Sequence, residues 1–97
     1  MLHQPLEELQ FLAFLKKLTV SYNELVDLWP VPLQLETLII SHNKLGSISE
    51  NVAKLVGLKY LDVSFNRLTN VQGVQALVKL QTFNVSNNEV YKLLVYE

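Results

Sequence analysis

One pattern recurs four times in this chain at nearly constant spacing, and it leaves little freedom in what the chain can fold into. The segments are LKKLTVSYNEL from Leu15, LETLIISHNKL from Leu35, LKYLDVSFNRL from Leu58 and LQTFNVSNNEV from Leu80. They align without gaps. Their asparagines, Asn23, Asn43, Asn66 and Asn88, stand 20, 23 and 22 residues apart, and each is followed two positions later by Leu or Val.

Each segment carries a period of two. Leu18 and Val20, Leu38 and Ile40, Leu61 and Val63, Phe83 and Val85 flank one residue each, so every pair is expected on the inward face of a short strand. Similar strands recurring at one period are expected to stack in parallel, about 4.8 Å apart. Parallel neighbours need a crossover, which the residues after each asparagine supply. The asparagine falls where the chain turns off the strand. Its amide is suited to bond backbone groups that the bend leaves unpaired, so Asn23, Asn43, Asn66 and Asn88 read as structural.

The crossovers differ. Ser49 to Leu55 reads as about two helical turns with Ser47 or Ser49 as the cap, and Val74 to Lys79, with Gly73 near its start, reads the same way. Pro30 and Pro32 forbid an ordinary helix in the first crossover, which is expected to be extended or 3₁₀. Trp29 there reads as filling for the core or its rim. Residues 1–14, with Leu6, Leu9 and Leu12, read as a helical, crossover-like lead-in; a helical lid at that end is the alternative. Neither end carries a dedicated polar cap. Solenoids need such caps, so the single domain of residues 1–97 is expected to be a piece of a longer array.

Composition removes several functions. Eight Lys/Arg against nine Asp/Glu give no basic excess to grip nucleic acid. The longest apolar run near the start, Phe11 to Leu15, is too short for a signal core or a membrane span. With no cysteine there is no disulfide, thiolate nucleophile or cysteine metal site, and an intracellular home is expected. His3 and His42 are too few for a metal site, and no serine has a histidine and an acid disposed to activate it. No phosphate loop or paired-carboxylate setting is present. The expectation is a chain that is not an enzyme and holds no cofactor or metal.

The repeat resembles the leucine-rich-repeat family, whose pattern is L-x-x-L-x-L-x-x-N-x-L, over residues 15–93. The resemblance implies an α/β, right-handed solenoid: a horseshoe arc with short parallel strands on its concave face and short helical, 3₁₀ or extended crossovers on its convex face. It also implies a protein–protein interaction module or scaffold of a larger regulatory protein, with recognition residues in the concave columns. Those columns are Lys17, Thr37, Tyr60 and Thr82; Thr19, Ile39, Asp62 and Asn84; the four serines Ser21, Ser41, Ser64 and Ser86; and then Tyr22, His42, Phe65 and Asn87. The serines read as satisfying backbone groups at the strand ends. Tyr22, His42 and Phe65 form a partly aromatic ridge, which either shields the core edge or anchors a partner.

The residues expected to contact a protein or peptide are Lys17, Thr19, Tyr22, Ile39, His42, Tyr60, Asp62, Phe65 and Asn84. Neither nucleic acid nor membrane is expected as a partner, and the chain is expected to be a monomer or part of a longer polypeptide. The lack of cysteine is most similar to cytoplasmic members of the family. An extracellular or cell-surface recognition repeat is the alternative, for which Asn84-Val85-Ser86 supplies a glycosylation triplet. A further alternative is the non-catalytic repeat region of a multidomain enzyme.

Overall fold

The computed structural model describes residues 14–90. Residues 1–13 of the expected lead-in, His3 among them, and the residues after Val90 lie outside them. Four three-residue strands, β1 (Lys17–Thr19), β2 (Thr37–Ile39), β3 (Tyr60–Asp62) and β4 (Thr82–Asn84), form one sheet in the order β1-β2-β3-β4. All three pairings are parallel. The register aligns Leu18, Leu38, Leu61 and Phe83 across the sheet, as the unshifted repeat requires. A slip of one residue would turn every leucine outward.

Backbone pairing continues past the strands. The N–H of Val20 donates to Ile39, that of Ile40 to Asp62 and that of Val63 to Asn84, each at 2.9 Å. A second ladder follows the turn: Lys44 N–H to Leu25 O at 2.7 Å, Arg67 to Leu45 at 2.9 Å and Glu89 to Leu68 at 2.8 Å. Each repeat is thus tied to its neighbour on both sides of its asparagine.

The core lies between the sheet and the crossovers. Leu35, Leu38, Ile40, Leu55, Leu58, Leu61, Val63 and Leu68 are all fully buried. Phe83 and Val85, in β4 and just after it, are only partly buried against that cluster. A repeat's inner face is covered by its neighbours, so burial is greatest in the two middle repeats.

The crossovers correct the sequence reading in two places. The second holds a single turn, α1 (Glu50–Ala53), where about two were expected. Ser49 stands at its N-cap position, yet its hydroxyl makes no cap bond and is buried without a partner. The third holds only a 3₁₀ turn, Val74–Ala76, preceded by Gly73 at φ 105°. Both crossovers must deliver an inward leucine and return to the sheet within a fixed span. A 3₁₀ turn rises more per residue than an α-helix and covers that span with fewer residues. The closing bonds agree with this: Leu58 N–H to Leu55 O at 3.0 Å and Leu80 N–H to Leu77 O at 3.1 Å, each spanning three residues. The first crossover has no helix, as Pro30 and Pro32 predicted.

Candidate protein-binding face

The asparagine turn fixes where the outward side chains stand. Asn43 Nδ2 donates to the carbonyls of Ile40 and Ser41 in its own repeat, at 3.1 and 3.0 Å, and to Val20 of the preceding one at 3.1 Å. Its Oδ1 accepts the N–H of Asn23 at 3.0 Å and of Leu25 at 2.9 Å. Asn66 repeats this with Ile40, Val63, Ser64 and the N–H of Leu45. Asn88 does so with Val63, Val85, Ser86 and the N–H of Leu68. Asn23 bonds Val20 and Ser21 within its own repeat. The structural role expected of all four is what the geometry has. A buried amide left with four unmade bonds would be costly, so the turn admits little variation.

Before the turn, strand alternation leaves Lys17, Thr19, Tyr60 and Thr82 exposed and Thr37, Ile39, Asp62 and Asn84 half-buried on the open face. The register places Lys17, Thr37, Tyr60 and Thr82 in one row and Thr19, Ile39, Asp62 and Asn84 in the next. Tyr60 is 37% exposed, paired with Thr37 of the adjacent strand and diagonal to Ile39.

The serine row differs from its expectation. Ser64 donates its hydroxyl at 2.6 Å and its N–H at 2.9 Å to Asp62 Oδ1. Ser86 does the same to Asn84 Oδ1, at 2.8 and 3.0 Å. Ser21 and Ser41, which follow Thr19 and Ile39, have no carboxyl or amide two residues back, and their hydroxyls pair with each other at 2.9 Å. The serine hydroxyls therefore meet side chains, not the backbone. One oxygen each of Asp62 and Asn84 is spent on this local turn, which holds the other face of the group outward.

The last row is a ring stack. His42 lies 4.2 Å from Tyr22 at an interplanar angle of 14°, and 4.3 Å from Phe65 at 10°. Tyr22, His42, Phe65 and Asn87 all have φ between 57° and 61°, in the left-handed region. That conformation costs an L-residue about 1–2 kcal/mol. Stacking, worth about 0.5–1.5 kcal/mol per pair, and the asparagine bonds beside it offset the strain. Tyr22 is 73% and Phe65 46% exposed, while His42 between them is half-buried with Nδ1 facing no partner. Six of the nine residues singled out in the sequence thus lie in the two strand rows, and the other three, Tyr22, His42 and Phe65, form the stack that follows the strands.

One further row does not follow from the strand alternation. Leu33, Val56 and Val78 each stand two residues before the first leucine of a repeat, and all three are exposed. Their common register was the available signal.

Residues 33–90 match the family model described as leucine rich repeat. The chain belongs to the leucine-rich-repeat family. As such it is a protein-interaction module, and its four-stranded parallel sheet with little helix is the α/β solenoid of that family. Among curated proteins, this leucine-rich-repeat chain is similar to an adenylate cyclase of Schizosaccharomyces pombe, 39% identical over 87 residues. It is also similar to an adenylate cyclase of Neurospora crassa, 33% identical over 73 residues. Those alignments take in 84% and 74% of this chain but only 5% and 3% of the two cyclases.

Proposed function

We propose that this chain holds a partner protein on the open face of its sheet, with Tyr60, Ile39 and the ring stack of Tyr22, His42 and Phe65 as the apolar anchors and Lys17, Thr19, Asp62 and Asn84 around them. The observation that carries this reading is the stack itself. Rings held at repeat pitch by a strained backbone, yet exposed at Tyr22 and Phe65, offer pre-organised apolar surface that loses little entropy on contact. Mixed charges around it, Lys17 and Asp62 among them, favour selectivity over long-range attraction.

The similarity to two adenylate cyclases supports a second element of the proposal: that the module serves a larger enzyme, with catalysis carried by other domains and none by these residues. On this reading its place of action is the cytoplasm, which a fluorescent fusion tests.

The decisive experiment compares the wild type with the double variant Tyr60→Ala/Phe65→Ala in a pull-down, after circular dichroism has established that the variant melts cooperatively. Loss of a specific protein supports the open face. A partner retained equally by a folded double variant rules it out.

A further inference from the structure

The edge where the chain enters the sheet carries the exposed row Leu33, Val56 and Val78, at 57%, 55% and 80% exposure. Single exposed apolar residues are ordinary, but here three recur at the same register of neighbouring repeats. Lysines surround them. Lys54 stands two residues before Val56, Lys59 three residues after it, and Lys79 directly follows Val78. None of the three forms an ion pair among the described residues. Glu36, next to the first leucine of its repeat, is taken by Lys16 at 3.6 Å. Elsewhere among the described residues, Glu24 is paired with Lys44 at 3.7 Å.

We infer that the entry edge, Leu33, Val56 and Val78 with Lys54, Lys59 and Lys79, is a second docking surface, whose occupant is an acidic amphipathic segment of a partner protein. The apolar row fits a stripe of apolar side chains on such a segment, and the unpaired lysines meet carboxylates beside that stripe. A second copy of the chain docked by the same edge would set lysine against lysine. This surface does not depend on the open-face reading. It also adds area where that face is small: a stable interface uses about 20–30 residues a side, more than the open rows of four repeats supply.

The test uses a fluorescein-labelled synthetic peptide with leucines on one helical face and glutamates on the rest, and a second peptide with lysine in place of glutamate. Fluorescence anisotropy with the wild-type chain is expected to show binding of the glutamate peptide that weakens with added salt. Val56→Ser/Val78→Ser and, separately, Lys59→Glu/Lys79→Glu are expected to weaken it at least about tenfold. All four positions are exposed, so both variants should keep the wild-type circular dichroism spectrum. Tyr60→Ala/Phe65→Ala is expected to leave the peptide affinity unchanged, which separates this surface from the open face. Equal binding of the lysine peptide, or wild-type affinity in both edge variants, overturns the inference. So does binding of phosphatidylserine vesicles without the peptide, which would make the edge a lipid surface. Self-association of the wild type in sedimentation, lost in Val56→Ser/Val78→Ser, would make the occupant a second copy and equally overturn it.

Discussion

Asn66 Oδ1 accepts the backbone N–H of Leu45 at 2.9 Å, across 21 residues of sequence, while its Nδ2 donates to three carbonyls. One side chain therefore stitches two repeats together inside the core. Asn66→Ala is expected to lower stability by about 3 kcal/mol, because the backbone groups it served stay buried and unpaired. Asn88→Ala should cost less, since its partners are only partly buried and water can replace the amide. Urea denaturation of both variants measures the difference. Equal losses would mean that burial does not set the cost.

His42 is held from both sides by rings and sits at φ 57°. His42→Ala should lower stability by about 1–2 kcal/mol through loss of two stacking contacts. His42→Gly loses the same contacts but relieves the left-handed backbone, and is expected to be more stable than His42→Ala by about 0.5–1 kcal/mol. Reversal of that order in thermal melts would show that the backbone there is not strained.

Gly73 has φ 105°, and a Cβ added to it would lie 3.3 Å from the carbonyl oxygen of Ile48. Gly73→Ala is expected to cost about 1–2 kcal/mol in urea denaturation. Gly46, with nothing within 4 Å of an added Cβ, is the control. Gly46→Ala should hold or raise stability, by up to about 1 kcal/mol.

Ser49 occupies a capping position without capping. A working serine cap is worth about 1 kcal/mol, whereas Ser49→Ala should change stability by less than about 0.5 kcal/mol. A loss of a full kilocalorie in calorimetry would restore the cap expected from the sequence.

The parallel order, the register of Leu18, Leu38, Leu61 and Phe83, and the role of the four asparagines were all legible in the sequence. Each rests on a period or on a residue type at a fixed offset, which neighbouring positions along the chain determine. The open-face rows followed from the same alternation. What the tertiary structure decided is everything that depends on distances between repeats. The hydroxyls of Ser21 and Ser41 pair only because the sheet sets their repeats side by side. The crossovers shortened to single turns because their span is set by the sheet and not by helix propensity. Tyr22, His42 and Phe65 became a stack because a left-handed turn recurs at a pitch close to ring spacing. The repeat is a local code, so the sequence alone could specify it; contacts between repeats are made in space and had to await the fold.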